Sequence, residues 1–401
     1  MVKPWETATI GDFLDFKNGL NKGKEFFGYG TPIVNYTDVY KNRGLKKADI
    51  RGKVCLTLDE IHRFDVRKND VFFTRTSETP DEVGMSSVLL EDVENGVFSG
   101  FVLRGRPKND MFVPEYCKYC FSTEAVRNAI ITGCTYTTRA LTNGKQLSAI
   151  ELPVPPKPEQ EAIAEALSDI DSLIVNLEKL IVKKKAIKQG AMQELLTGKR
   201  RLPGFDGEWK VCALEELCDM FSGGTPNSRI GSYYGGDIPW VSISDISVSG
   251  KYLINTEKTL TRDGLENSSA RLYPAKTLLF AMYASIGKCC IANHSVSSSQ
   301  AILGIYNFRN VTCQFLYYYL SFNQKTFVEM GQTGTQSNLS KKIVQKIPVF
   351  LPELNEQIAI VNILSDMDDE LNTLEENLKK YQMIKQGMMS ELLTGNIRLV
   401  K

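Results

Sequence analysis

Residues 188–198 read Lys-Gln-Gly-Ala-Met-Gln-Glu-Leu-Leu-Thr-Gly, and residues 385–395 read Lys-Gln-Gly-Met-Met-Ser-Glu-Leu-Leu-Thr-Gly. The two stretches differ only at Ala191/Met388 and Gln193/Ser390. Each closes a long segment with helical periodicity, and each follows a longer segment that matches its counterpart poorly. The sequence therefore predicts an internal repeat of two variable blocks and two near-identical helices.

Apolar residues in the two helical segments recur at alternating spacings of four and three, which is the pattern of a coiled-coil seam. A long helix with one apolar stripe exposes that stripe unless another element packs against it, and the other helical copy is the simplest partner. We expect an antiparallel pair with one globular block at each end. The predicted seam consists of Ile163, Leu167, Ile170, Ile174, Leu177, Ile181, Ile360, Leu364, Met367, Leu371, Leu374 and Leu378.

Proline clusters mark where the globular blocks end, because proline resists continuing a helix and fixes an extended entry. Pro155 and Pro352 hold the same place before the two helices. We predict a first globular domain at 1–151, a central helical spacer at 152–199, a second globular domain at 200–347 and a C-terminal helical spacer at 348–401.

The two variable blocks also correspond to each other faintly. The series Trp5, Ile10, Phe13, Gly19 matches Trp209, Leu214, Leu217, Gly223 at one constant offset. Short apolar runs between Gly, Pro, Asn and Asp turns predominate in both blocks, which is typical of β-rich structure. We expect a mixed α/β (α+β) domain, present twice.

Composition places the chain among ordinary globular proteins. The 401 residues include 48 Lys and Arg against 47 Asp and Glu, so DNA binding would require positive charge gathered on one face. Nine scattered cysteines argue against a disulfide framework, and with only two histidines a zinc site is improbable. For that reason we expect no metal. Because no apolar run could span a bilayer and the N-terminus lacks the apolar core of a signal peptide, we expect a cytoplasmic protein with no membrane partner.

Motifs of catalysis are largely missing. The chain has no phosphate-binding Gly-x-x-x-x-Gly-Lys-Ser/Thr loop, no His-Glu-x-x-His and no Gly-x-Ser-x-Gly. Several such absences together favour a binding protein over an enzyme, and no catalytic residue is predicted.

Polar clusters at equivalent places in the two blocks are the candidates for reading DNA. Bases are read by Arg, Asn, Gln, Ser and Thr, and phosphates by Lys, Arg and backbone amides. Solvated loops are the alternative interpretation. The candidates are Lys22, Lys24, Thr74, Arg75, Thr76, Ser77 and Arg139 in the first block, and Asn227, Ser228, Arg229, Tyr283, Ser285, Lys288, Gln336 and Asn338 in the second.

The whole layout resembles the specificity (S) subunit of type I restriction–modification systems. The resemblance rests on the paired segments with Glu159-Gln160 and Leu167-Ser168-Asp169, answered by Glu356-Gln357 and Leu364-Ser365-Asp366. It implies two target-recognition domains that each read half of a bipartite DNA sequence. The helices would then set the gap between the half-sites and dock two methyltransferase subunits.

The resemblance also implies which chemistry belongs to partners. S-adenosylmethionine would serve the methyltransferase (M) subunits, and ATP the restriction (R) subunits, so no cofactor is expected in this chain. Two other hypotheses remain open from the residues alone: a coiled-coil protein-interaction scaffold that binds no DNA, and an enzyme with an unfamiliar site.

Overall fold

The computed structural model describes residues 4–331 and 338–399. Within these ranges the chain forms two compact units. Unit 1 comprises residues up to Glu178 together with those from Glu376 onward, and unit 2 comprises Lys179–Glu375. Two helices of 39 residues, Lys157–Leu195 (the first long helix) and Leu354–Leu392 (the second long helix), each contribute one part to unit 1 and one part to unit 2.

Unit 1 is built on a five-stranded sheet in the order Leu14–Asn18, Val102–Pro107, Val71–Thr74, Ser86–Leu89, Gly44–Leu45. All neighbours are antiparallel except the last pair. The other strands are Glu6–Thr9, Phe27–Val34, Lys53–Val54, Thr76–Ser77, Val97–Phe98, Thr135–Tyr136, Ala140–Leu141 and Glu151–Val154. The shorter α-helices are Ile10–Phe13, Tyr36–Lys41, Leu58–Arg63, Pro114–Cys117, Glu124–Gly133 and Gly144–Ser148.

Unit 2 repeats this sheet in the same order with Asp219–Ser222, Ile302–Tyr306, Leu278–Ala281, Cys289–Ala292 and Tyr252–Leu253. The predicted mixed α/β fold, present twice, is therefore confirmed. The remaining strands are Lys210–Ala213, Tyr234–Val241, Lys258–Leu260, Ser297–Ser298 and Pro348–Leu351. The shorter α-helices are Leu214–Leu217, Ile243–Val248, Arg262–Glu266, Cys313–Phe322, Gln324–Gly331 and Lys341–Gln345.

A short strand closes each globular part immediately before the long helix. Glu151–Val154 pairs with Glu6–Thr9, and Pro348–Leu351 pairs with Lys210–Ala213. The predicted boundary after residue 151 falls inside the first of these strands, and the one after residue 347 leaves the second strand outside its domain. Sequence patterning could not show this because the pairing joins residues at opposite ends of each block.

The long helices run antiparallel within each unit. In unit 2, Lys184 pairs with Glu370 at 2.5 Å and Lys188 pairs with Asp368, so the partner number falls as the residue number rises. In unit 1, Lys385 pairs with Asp171, and about two turns further along the second long helix Leu392 shares a core with Ile163. The two helices of each unit therefore cover one another, as an antiparallel pair requires.

The residues of the heptad pattern face inward. Seven of the twelve are buried, and Ile170, Leu177, Met367, Leu374 and Leu378 are half-buried. Ile163 and Leu167 join the apolar core of unit 1, and Ile360 and Leu364 join that of unit 2. The long helices are thus continuous with the globular cores that they carry.

Glycine ends both long helices by the same geometry. Gly198 and Gly395 have φ of +67° and +77°, values that favour glycine because a side chain is strained there. The amide of Arg200 then reaches the Glu194 carbonyl at 3.2 Å, and the amide of Ile397 reaches that of Glu391 at the same distance. The repeated Leu-Leu-Thr-Gly is therefore a helix stop that reverses the chain.

Candidate nucleic-acid interface

In unit 1, several predicted DNA-reading residues gather around one cleft. The strand Thr76–Ser77 leaves the end of the buried strand Val71–Thr74 and pairs with Ala140–Leu141, which brings Arg139 beside it. The resulting cleft of about 300 Å³ is lined by Tyr36, Thr76, Ser77, Glu78, Glu82, Phe101 and Arg139. Residues from distant parts of the sequence, from Tyr36 to Arg139, thus form one concave surface.

Two residues of this cluster form hydrogen bonds inside the protein, which for the completely buried Thr74 corrects the expectation that it faces DNA. The Thr74 side chain is completely buried; its hydroxyl donates to the Glu82 carbonyl at 3.0 Å and accepts from the Met85 amide at 2.9 Å. The Ser77 hydroxyl is buried too and donates to the Glu82 carboxylate at 3.0 Å. Both hold the cleft wall together; Thr74 has no exposed surface left for a base, whereas Ser77 still lines the cleft.

An arginine and an aromatic side chain are exposed at this cleft, beside the exposed carboxylate of Glu78. Arg139 is exposed, and Phe101 is 58% exposed. Arg75 is half-buried, with one guanidinium nitrogen 3.4 Å from the Gly100 carbonyl oxygen, and its backbone amide holds the Phe101 carbonyl at 2.9 Å. A guanidinium and an exposed ring at one cleft are the groups that contact bases by hydrogen bonding and by stacking.

The two lysines of the glycine-rich loop in unit 1, Lys22 and Lys24, have different surroundings. Lys22 forms an ion pair with Glu60 and lies over the Phe26 ring at 4.8 Å, so its charge is already used within the protein. The hydrogen bond from Lys22 lowers the pKa of the Glu60 carboxyl and keeps that partner ionised. Lys24 is exposed. Of these two, Lys24 is the more exposed, and its contact with a phosphate stays a prediction.

The matching loop of unit 2 is more open. Asn227, Ser228 and Arg229 are all exposed, and the Asn227 side-chain oxygen accepts the Arg229 amide at 3.1 Å, which orders the turn. A cleft of about 460 Å³ adjoins the loop, lined by Thr225, Ser228, Tyr234, Gly235, Trp240, Glu257, Lys258 and Thr259. The buried indole of Trp240 donates to the Gly224 carbonyl at 3.0 Å and anchors the start of the loop.

The other candidates of unit 2 separate into two places. Tyr283 forms an isolated antiparallel bridge with Asn338, in the position that the Thr76–Ser77 pairing occupies in unit 1. Ser285 and Lys288 turn toward Ser247: the two hydroxyls lie 2.8 Å apart, and the Lys288 ammonium is 3.3 Å from the Ser247 carbonyl oxygen. Gln336 lies outside the described residues.

A second set of residues, outside the predicted interface, organises each unit. The carboxylate of Glu159 accepts from Arg398 and from the Trp5 indole, and that of Glu356 accepts from Arg201 and the Trp209 indole. The repeated Glu-Gln pairs and the matched tryptophans were visible in the sequence. Their use as one clasp was not, because the arginines are distant in number and follow the repeat that ends the opposite helix.

Within the described ranges, no cluster of three or more His, Cys, Asp or Glu could hold a metal ion. In the same ranges, no helix combines the length and the apolar character needed to cross a bilayer. The two clefts present hydrogen-bonding, cationic and aromatic groups, and each also has an exposed carboxylate, Glu78 in unit 1 and Glu257 in unit 2.

A family model described as the type I restriction modification DNA specificity domain matches residues 2–189 and again 206–385. The chain is 24% identical over 414 residues to a putative type I restriction enzyme MjaX specificity subunit of Methanocaldococcus jannaschii, covering 98% of this chain and 94% of that one. It is also 24% identical over 250 residues to the EcoR124I/EcoR124II specificity subunit of Escherichia coli, covering 59% of this chain and 60% of that one.

Solved structures share the fold. The S subunit of a type I restriction–modification system from M. genitalium matches with a TM-score of 0.59 and 17% identity, covering 97% of this chain and 96% of that one. An HsdS subunit from Thermoanaerobacter tengcongensis matches with a TM-score of 0.54 and 16% identity, covering 98% and 97%. The duplicated architecture is therefore shared over nearly the whole length of these chains.

Proposed function

The chain belongs to the type I restriction–modification DNA specificity family and is a specificity subunit, and we propose that each of its units reads one half of a bipartite double-stranded DNA target. One observation carries this proposal. The two units place different side chains on the same framework: Thr76 and Phe101 beside the sheet in unit 1, Tyr283 and Ala301 in unit 2. Two units that share a backbone framework but differ in the side chains on it are suited to reading two different half-sites.

The backbone at Phe101 in unit 1 and at Ala301 in unit 2 is held by the same hydrogen bond. The Phe101 carbonyl accepts from the Arg75 amide at 2.9 Å, and the Ala301 carbonyl accepts from the Met282 amide at 2.9 Å. Because the backbone matches, a phenylalanine at one turn and an alanine at the other differ only in what they offer to a ligand. The exposed Phe101 ring suits contact with a thymine methyl group or stacking on an unstacked base.

The contact residues follow from exposure and chemistry. In unit 1 we assign base reading to Thr76 and Arg139, and phosphate contact to Lys24. In unit 2 we assign base reading to Asn227, Ser228, Arg229, Tyr283 and Asn338. Arginine suits guanine and asparagine suits adenine by paired hydrogen bonds in the major groove, so each unit carries a group able to discriminate bases.

The long helices are proposed to set the gap and to receive the methyltransferase subunits. Leu180, Val182 and Ile187 of the first long helix are exposed in unit 2, as are Leu173 and Val175 in unit 1. Leu173, Leu180 and Ile187 follow a spacing of seven, which is the repeat that a partner helix would cover. Apolar side chains outside the internal seam thus leave room for a second, intermolecular contact.

The catalytic steps are proposed to belong to partners. Methyltransferase subunits would use S-adenosylmethionine, and restriction subunits would use ATP. In this chain the accessible groups at both clefts are suited to binding and orientation, and the proposed role is to select the DNA sequence on which those partners act.

The test is a change in one half-site at a time. The full chain, expressed with its partner methyltransferase, modifies a plasmid library carrying randomised sequences, and the modified sites are read by sequencing. Arg139→Ala should relax one half of the recognised sequence, and Asn227→Ala should relax only the other half. If both variants altered the same half, or if no sequence were modified by the unsubstituted complex, the two-reader proposal would fail.

A further inference from the structure

A polar group recurs on the long helices where each globular part rests on them. We call it the helix socket: Ser168, Asp171 and Lys385 in unit 1, and Ser365, Asp368 and Lys188 in unit 2. In each socket the lysine comes from the opposite long helix and pairs with the aspartate. The two sockets therefore present the same three side chains.

Each globular part inserts a tyrosine into its socket. The Tyr119 hydroxyl donates to the Asp171 carboxylate at 2.8 Å and lies 3.2 Å from the Ser168 hydroxyl. The Tyr318 hydroxyl donates to Asp368 at 2.5 Å and lies 3.2 Å from Ser365. Burial raises the pKa of both phenols, so each stays a donor.

Each globular part also brings an ammonium group to the socket serine. The Lys118 Nζ donates to the Ser168 hydroxyl at 2.7 Å and lies 5.2 Å from the centre of the Tyr119 ring. The Lys251 Nζ donates to the Ser365 hydroxyl at 2.7 Å and lies 4.7 Å from the centre of the Tyr318 ring. The finished sockets are chemically alike.

These two lysines are not at equivalent positions in the fold. Lys251 precedes the short strand Tyr252–Leu253, and its carbonyl accepts from the Ile291 amide at 2.9 Å. In unit 1 that place belongs to Arg43, whose carbonyl accepts from the Val88 amide at 3.1 Å before the strand Gly44–Leu45. The same cation thus reaches the socket from two different parts of the globular domain.

In each unit, the position equivalent to the other unit's socket lysine holds a residue that forms no hydrogen bond with the socket serine. Arg43 donates to the Ser122 hydroxyl at 3.0 Å and lies over the Tyr119 ring at 5.8 Å. Tyr317 stands where Lys118 would, and its ring packs edge-on against Tyr318 with centres 5.2 Å apart. If the lysine served the globular core, it would occupy the equivalent position in both units.

We propose that the helix socket requires an ammonium group, and that a globular domain seats on the long helices when it supplies one from either of these two positions. Lys118 and Lys251 are then positioning residues for their whole domain. They act through Ser168 and Ser365 and fix where the domain rests on the helix pair of its own unit. This inference does not depend on DNA binding.

Burial gives the requirement its physical basis. Both lysines are partly desolvated, which lowers the pKa of each ammonium group, while Asp171 and Asp368 act in the opposite direction. A cation placed there donates to a serine oxygen, lies against an aromatic ring and is attracted by a nearby carboxylate. An uncharged side chain at the same place would leave the serine oxygen without this donor in a partly buried site.

The experiment exchanges the supplier of the cation in the full-length chain. In unit 1, Lys118→Tyr removes the ammonium, and Lys118→Tyr combined with Arg43→Lys rebuilds the arrangement of unit 2. In unit 2, Lys251→Arg is compared with Lys251→Arg combined with Tyr317→Lys. Thermal unfolding and hydrogen exchange at the socket serines and aspartates are measured for each, for Arg43→Lys and Tyr317→Lys alone, and for the exposed Lys41→Tyr as the matched control.

We expect Lys118→Tyr and Lys251→Arg, the single variants that remove the socket ammonium, each to lower the unfolding midpoint by about 3–8 °C, and each double variant to recover at least half of that loss. Recovery beyond the sum of the two single changes is the signature of one shared site. If a single variant fails to fold, folding of the double variant gives the same support. Unchanged single variants, or double variants no better than the sum of their parts, would overturn the proposal.

Discussion

The guanidinium of Arg398 donates two hydrogen bonds, each 2.5 Å long, to the carboxylate of Glu159, which lies 239 residues earlier in the chain. The Trp5 indole donates to the same carboxylate at 3.0 Å, and the guanidinium lies over the indole ring at 4.9 Å. In unit 2, Arg201, Glu356 and Trp209 form the same clasp. The segment after each helix stop is therefore fastened to the first turn of the other long helix.

The clasp of unit 2 offers a matched pair of neighbouring arginines. Arg201→Lys should lower the unfolding midpoint by about 2–5 °C, because lysine cannot replace the planar two-point contact with Glu356 or the stacking on Trp209. Arg200→Lys is the control, since that side chain is exposed and reaches Glu194 only at 3.5 Å. Equal effects of the two substitutions in thermal unfolding would contradict the clasp.

The clasp of unit 1 predicts an acid-sensitive contribution to stability. Burial alone would raise the pKa of Glu159, but hydrogen bonds from Arg398 and Trp5 outweigh it and leave the pKa below its usual range. Because the folded-state pKa lies below the unfolded value of about 4.3, this stability is present above that pH and is lost as pH falls through the folded pKa. The free energy of unfolding is measured against pH.

Glu159→Gln is the comparison for that measurement. It should be clearly less stable than the unsubstituted chain at pH 7, and the difference should shrink as the pH falls below about 4. A difference that stayed constant from pH 7 to pH 3 would show that the ionised carboxylate does not carry the contact.

Thr74 provides a test of its corrected role. Thr74→Val keeps the shape but removes both hydrogen bonds, with the Glu82 carbonyl and the Met85 amide. We expect a loss of about 1–3 kcal/mol in the free energy of unfolding, because two buried backbone groups lose their partner. The recognised DNA sequence should stay the same. A changed sequence preference in a folded Thr74→Val chain would restore Thr74 as a contact residue.

Arg139 is expected to read a base. Arg139→Ala should weaken binding to the cognate duplex by about 5- to 150-fold, which corresponds to 1–3 kcal/mol for a paired hydrogen bond. Binding to unrelated duplexes should change far less. Equilibrium binding of both duplexes is measured over a range of salt concentrations. Uniform weakening on every sequence, with a salt dependence reduced by about one ion, would assign Arg139 to phosphate instead.

The internal seam can be tested by comparing two leucines of the first long helix. Leu167 is fully buried in the core of unit 1, so Leu167→Ala should cost about 2–5 kcal/mol of unfolding free energy. Leu173 is 38% exposed, and Leu173→Ala should change stability by no more than about 0.5 kcal/mol. Denaturant titration measures both. A reversed order would mean that the seam faces the other way.

Sequence periodicity was sufficient to predict the long helices, their seam and the duplicated α/β blocks, because helix and strand periods depend on local spacing. Glycine positions were equally readable. A Cβ atom on Gly19 or Gly223 would lie 2.1 Å from the Ser99 or Ser298 carbonyl oxygen, and the two glycines match at the constant offset of the repeat. The sequence by itself thus determined the repeat, the helices and the family.

Only the tertiary structure decided which polar residues are free to meet a ligand. Thr74 and Thr76 look alike in sequence, yet one bonds the wall of the cleft and the other lines it. The sequence could not reveal that Lys118 and Lys251 serve the same purpose, since their positions do not correspond. Burial and hydrogen-bond partnership depend on residues brought together from distant parts of the chain, and local patterns carry no record of those encounters.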